Sequence, residues 1–262
     1  MKRTGVGAGV FALALTGLYF YQPQRYDFLP RPAPEPNPPV DPDSNHLFAP
    51  GTRVAVVAAH PDDPEFFIGG ILTELAKAGA NIAIVMCTDG DKGYYPWFMT
   101  NAAENRRVRR LEQIEAAKQY GAEVFFLAKP DGRLRADDGL VSEVAKCLNR
   151  FDPEYVLAFD PEYPPRIQHS DHLQSGIAAE KAIPSVPSVK WLLRYSTHAP
   201  NHVVDISAVW PEKAKLLTIH KSQFHGDRLE MVTRMVQGRA MDDGRRIGVQ
   251  FGEGLRCSRV GP

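Results

Sequence analysis

The run Val54-Ala55-Val56-Val57-Ala58-Ala59, followed at once by His60-Pro61-Asp62-Asp63, constrains this chain more than any other stretch. Small and β-branched apolar residues without polar alternation describe a strand covered on both faces, as in a parallel sheet. In open α/β sheets the reactive groups gather just beyond the carboxyl ends of such strands. One imidazole and two carboxylates stand at that end here, with Pro61 fixing the turn between them. His60 and Asp63 are spaced so that both can address one metal ion, with Asp62 left beside it.

An Asp in such a turn is commonly a helix N-cap, and a lone His a hydrogen-bonded turn residue. A second cluster in the same context weakens that reading. Glu154-Tyr155-Val156-Leu157-Ala158-Phe159 reads as another buried strand; after a Pro-rich loop come His169-Ser170-Asp171-His172 and a helical pattern. Two strand ends bearing His and Asp, each entering a helix, point to a shared metal site.

Strand and helix patterns alternate along the chain. Strands are expected over 53–59, 81–88, 123–128, 154–159, 190–196 and 202–206. Helices are expected over 70–78, 102–120, 140–151, from near Asp171, and over 211–223; the last forty residues carry little pattern. This alternation predicts an α/β fold, a Rossmann-like, doubly wound and mostly parallel sheet with helices on both faces. No glycine-rich dinucleotide fingerprint follows the first strand, and neither a Walker-type loop nor a Gly-x-Ser-x-Gly elbow occurs. Lys plus Arg equals Asp plus Glu, 31 each, so there is no basic surplus for nucleic acid. Cys87, Cys147 and Cys257 lie far apart and support neither a disulfide nor cysteine-metal spacing.

Lys2 and Arg3 precede an uncharged stretch from Thr4 to Gln24, with aromatic residues Tyr19, Phe20, Tyr21 and Tyr26 at its end. This predicts a signal anchor over 1–24 that holds the catalytic domain outside the cytoplasm, or else a cleaved signal giving a secreted or periplasmic protein. Residues 25–47, rich in proline, read as an extended linker, and 48–262 as the globular domain.

Several motifs together resemble the PIG-L/LmbE-like family of zinc-dependent N-deacetylases. They are Ala59-His60-Pro61-Asp62-Asp63 with Gly69-Gly70, Thr88-Asp89-Gly90, Arg109-x-x-Glu112, His169-Ser170-Asp171-His172, Val204-Asp205-Ile206-Ser207 and His220-Lys221-Ser222-Gln223. The resemblance implies removal of the acetyl group from an N-acetylated amino sugar. It further implies that His60, Asp63 and His172 hold zinc, with Asp62 the general base toward the metal-bound water. His169 would stabilise the oxyanion or protonate the amine, and Asp171 would orient a neighbouring imidazole. Arg109 and Asp131 would contact substrate. Ser170 stands where the family usually has Pro, Pro64 where a Glu often follows the second Asp, and Ile167 where some members carry an assisting Tyr.

A catalytically silent carbohydrate-binding protein and a metal-dependent phosphoesterase are the competing readings. Phosphoesterase chemistry commonly uses two metals, and the sequence offers no second full ligand set. Tyr94, Tyr95 and Trp97 read as a loop at the rim of the site. His198 and His202 read as turn or surface residues, and His220 as equally suited to the pocket or to packing.

Overall fold

The computed structural model describes residues 26–28, 47–93, 101–165 and 167–261. Its frame follows from the apolar strands. β2 (Arg53–Ala58) pairs in parallel with β3 (Asn81–Thr88) on one side and β5 (Tyr155–Phe159) on the other. β4 (Glu123–Lys129) extends the sheet beyond β3, and β7 (Trp191–Tyr195) extends it in parallel beyond β5. The last two strands break the pattern. β9 (Gly252–Arg259) runs antiparallel to β7, and β8 (His202–Asp205) runs antiparallel to β9. The seven strands stand in the order β4-β3-β2-β5-β7-β9-β8.

Alternate residues of each central strand feed two separate cores, as the pleat requires. Val54, Val56 and Ala58 face a core shared with α1 (Asp63–Lys77) and the end of α2 (Ala102–Gln119), toward the side that also carries α5 (Trp210–Leu217) and α6 (Gly226–Arg245). Ala55 and Val57 face the opposite core, under α3 (Asp138–Phe151) and α4 (Ser170–Ala182). The sheet is therefore mostly parallel, with helices on both faces, as predicted. β2 and β5 are adjacent, so the two clusters at their carboxyl ends come together through strand order.

Three expectations are corrected. The first helix begins at Asp63, not Gly70, because Pro64 in the first turn and the acidic Asp63 and Glu65 suit a helix N-terminus. The helix expected over 211–223 is α5, which ends at Leu217. The weakly patterned C-terminal stretch holds a twenty-residue helix, α6, and an eight-residue strand, β9.

The expected membrane anchor is also corrected, and the location outside the cytoplasm that rested on it goes with it. No helix among the described residues is long and apolar enough to cross a membrane. The stretch 1–24 that prompted the reading lies outside the described residues. Tyr94, Tyr95 and Trp97 lie outside the described residues as well. Within the linker, Tyr26–Phe28 forms a short strand, β1, that pairs antiparallel with β6 (Ile167–His169).

Candidate active site

His60 leaves the end of β2 and Asp63 opens α1, so one tight turn sets the geometry of both. Asp62 between them has φ 102°, a conformation Asp tolerates better than most side chains. The Asp62 N–H donates to Gln113 Oε1 at 3.0 Å, and its carboxylate accepts from Arg109 Nη2 at 3.0 Å. Asp63 turns the other way. Its Oδ2 accepts the His60 backbone N–H at 2.7 Å and lies 3.5 Å from His60 Nδ1. Its Oδ1 lies 3.1 Å from His172 Nε2. The neighbouring carboxylates thus face different partners, although only one peptide separates them.

His172 comes from the first turn of α4. Its ring stacks on Phe159 at 4.0 Å between centroids and 7° between planes, and Phe67 meets it edge-on. Two apolar contacts therefore fix the imidazole. His169 precedes the helix as its N-cap, Nδ1 accepting the Asp171 N–H at 3.0 Å. A nitrogen that accepts cannot carry a proton, so neutral His169 holds its hydrogen on Nε2.

On the far side of His60, Nε2 lies 3.2 Å from Asp131 Oδ1 and 3.4 Å from Asp171 Oδ2. Asp171 is itself gripped by the N–H groups of Gly132 and Leu134, and Asp131 accepts from Lys92 N. Electrostatics follow these contacts. Burial pushes the pKa of His60 down, but Asp131, Asp171 and Asp63 outweigh it, and the net shift is well upward. Burial raises Asp63, yet His172 and His60 hold it well below the carboxylate range. Burial also raises Asp131, and His60 reverses that too. Burial, with His60 and His172 nearby, pushes His169 far down. Asp62 is raised by burial, with Arg109 opposing.

Among the described residues, two groups of side chains could hold a metal ion: His60, Asp63 and His172, and His60, Asp131 and His169. In each, the donor atoms lie within 4.8 Å of one another. Nitrogen and carboxylate donors of this kind suit zinc. His60 Nε2 and Asp131 Oδ1 are buried and satisfy no hydrogen bond, although they face each other. The groups share His60, and a neutral imidazole has only one lone-pair nitrogen to give.

The sequence-derived set is thus brought together: His60, Asp62, Asp63, Asp131, His169, Asp171 and His172 converge at the ends of β2 and β5. Arg109 also arrives, but its guanidinium faces the protein. It donates to Gly90 O at 2.8 Å and to Pro61 O as well as Asp62, with the residue only 3% exposed. Gly90, at φ 65°, wraps so closely that a Cβ there would lie 2.2 Å from Arg109 Nη1. Asp131, fully buried against His60, likewise makes its contacts within the protein.

Sequence reading missed Glu65, Gln113 and Tyr120. Buried Glu65 accepts from Gln113 Nε2 at 2.9 Å, from Tyr120 OH, and faces His220 Nε2 at 3.0 Å. Gln113 relays this to the Asp62 turn through its Oε1. An acid in the first turn of a helix reads as a dipole partner, so Glu65 carries no distinctive signal in sequence. His220 is resolved as a buried partner of Glu65, and His198 as a turn residue facing the Tyr163 and Pro164 carbonyls.

Residues 55–183 match the family described as PIG-L: GlcNAc-PI de-N-acetylase. Diacetylchitobiose deacetylase of Thermococcus kodakarensis is 26% identical over 234 residues, covering 81% of this chain and 85% of that protein. 4-Oxalmesaconate hydratase of Pseudomonas putida is 26% identical over 240 residues, covering 80% and 91%. The structure of N,N'-diacetylchitobiose deacetylase from Pyrococcus horikoshii superposes with a TM-score of 0.75 at 24% identity, covering 98% of this chain and 95% of that one.

Proposed function

We propose that this chain, whose residues 55–183 form a PIG-L family domain, is a metal-dependent hydrolase that removes the acetyl group from an N-acetylated amino sugar. The observation that carries the reading is the split of the Asp62–Asp63 pair. Asp63 faces two imidazoles, while Asp62 stands beside them, turned toward Arg109. Two His and one carboxylate leave a coordination position open, which distinguishes catalytic from structural zinc.

In this reading His60, Asp63 and His172 hold zinc, with His60 using Nδ1. Nε2, 3.2 Å from Asp131 and 3.4 Å from Asp171, would then carry the proton, and these carboxylates would favour that tautomer of the ligand imidazole. Asp131 is accordingly a partner of His60 and not a sugar contact. When bound, zinc supplies a Lewis acid that polarises the amide carbonyl and brings the pKa of water to about 7.

Asp62 takes the proton of the attacking water. Its pKa, raised by burial, suits a base better than an ordinary carboxylate would. Arg109 holds Asp62 and the Pro61 carbonyl in place, so its role is to position the base. His169 donates Nε2–H toward the carbonyl oxygen as negative charge develops there. It does so as a neutral donor, because Nδ1 is committed to the Asp171 N–H. A C–O bond forms, the C–N bond breaks, and the proton held by Asp62 passes to the departing nitrogen. Acetate and the free amine result.

The likeness to 4-oxalmesaconate hydratase supports a second reading, in which the same base delivers water to a carbon–carbon double bond. One screen separates the two. Acetate release from N-acetylated sugars such as diacetylchitobiose, restored by zinc after chelation, supports the hydrolase. Loss of the ultraviolet absorbance of an unsaturated tricarboxylic acid such as 4-carboxy-2-hydroxymuconate, with no acetate from any sugar, replaces it with the hydratase. Two tightly bound metals per chain with phosphate release would favour the phosphoesterase, and sugar binding without turnover the silent protein.

A further inference from the structure

A buried ion pair is spliced into the helix that begins at Asp63. α1 breaks at Ile68, whose φ −133° and ψ 22° are not helical. In an unbroken helix the N–H of Gly70 would donate to the Phe66 carbonyl, and that of Ile71 to the Phe67 carbonyl. Here Gly70 N donates to Glu253 Oε1 at 2.9 Å and Ile71 N to Glu253 Oε2 at 2.7 Å. The Phe66 carbonyl accepts instead from Lys213 Nζ at 3.1 Å, and Lys213 also bonds Glu253. A carboxylate from β9 and an ammonium from α5 thus occupy the places of the helix's own acceptor and donor. Both are buried, Lys213 at 1% and Glu253 at 4% exposure.

Burying two charges is costly unless the geometry is good and other hydrogen bonds support the pair; here three backbone groups, Gly70 N, Ile71 N and Phe66 O, do so. The segment ahead of the break, Asp63 to Phe67, carries much of the site. Asp63 faces both imidazoles, Glu65 anchors the network to Gln113 and His220, and the Phe67 ring packs against His172. Gly70, just past the break, lies so close to Ile206 that a Cβ would meet its side chain at 2.7 Å, so the second part of the helix is packed tightly against Ile206.

We propose that Glu253 and Lys213 are positioning residues: their clasp on the broken turn of α1 sets the aim of Asp63 and hence the affinity of the metal site. This rests on the metal assignment made above. The test measures the zinc dissociation constant of the full chain by chelator competition, together with thermal stability. Glu253→Gln keeps the size but lacks a second acceptor oxygen, and is expected to weaken zinc binding at least about ten-fold. Leu148→Ala, in the opposite core, is the control that lowers stability without touching the clasp. It is expected to keep zinc affinity within about two-fold at temperatures where it is folded. Lys213→Met gives the same direction as Glu253→Gln and serves if the latter does not fold. If the clasp variants lose stability as Leu148→Ala does and keep wild-type zinc affinity, the clasp is merely structural and the proposal is overturned. If His60→Ala leaves zinc affinity unchanged, the metal assignment itself has failed instead.

Discussion

Replacing Asp62 by Asn removes the proposed base with little else. Asp62 sits at φ 102°, where Asn is tolerated but Ala would add about 1–2 kcal/mol of strain. The Asn carbonyl can still accept from Arg109 Nη2, which keeps its bonds to the Pro61 and Gly90 carbonyls. Weakening that one charge-assisted hydrogen bond costs less than about 3 kcal/mol of stability. His60, Asp63 and His172 are untouched, so zinc is expected to bind at one per chain. Removing a positioned base lowers turnover by about a hundred- to ten-thousand-fold. At about 1.4 kcal/mol per decade, that is roughly 3–5 kcal/mol of lost transition-state stabilisation. The assay is acetate release from diacetylchitobiose at saturating zinc, with metal content and melting temperature measured on the same sample. A zinc-loaded Asn variant that keeps more than about a tenth of wild-type turnover refutes Asp62 as the base.

His60→Ala is expected to lose zinc on dialysis, checked by elemental analysis; retention of one zinc per chain contradicts the ligand set. Gly176→Ala would put a Cβ 2.4 Å from the Phe159 backbone carbonyl, prying α4 and its His172 from the sheet. A stability loss of about 1–3 kcal/mol in urea unfolding is expected, because the backbone oxygen cannot rotate away. Buried Asp160 accepts a two-point bond from Arg256 at 2.7 and 2.8 Å and the N–H groups of Glu162 and Tyr163. Burial raises its pKa, but Arg256 and these N–H bonds bring it below the usual value. Its contribution is therefore complete above an unfolded pKa of about 3.9 and fades as pH falls through the lower folded value. Asp160→Asn is expected to cost about 3 kcal/mol near neutrality, and the gap to wild type to shrink in acid; a gap that widens as pH falls contradicts the sign.

Much of the frame was legible in the sequence because a parallel strand has a local signature. Val54 to Ala59 had to be buried on both faces, and the residues that follow such a strand face the site edge of the sheet. The first His and Asp cluster was legible for the same reason, standing directly after a strand; the second follows β5 only after a loop, and its entry into a helix marked it. The C-terminal elements were not. β9 reads Gly-Glu-Gly-Leu-Arg-Cys-Ser-Arg, and its charges look solvated until Lys213 and Asp160 are found beside Glu253 and Arg256. α6 buries a narrow stripe, Val232, Val236 and Ala240, while Met231 and Met235 stay exposed, which blurs its periodicity.

The order of the strands brought the two histidine clusters together, and local pattern could not fix that order. The direction of each side chain was also a tertiary matter. Arg109 looked able to reach a ligand, yet the Gly90 turn closes over it and hands it to Asp62. Asp131 was expected to contact substrate, and packing set it against His60. The sequence alone determined which chemical groups this protein carries and at which strand ends they emerge, because burial of apolar runs is a local demand. Only the folded chain decided which carboxylate meets which imidazole, because those pairings join residues that the sheet and its helices bring from distant parts of the polypeptide.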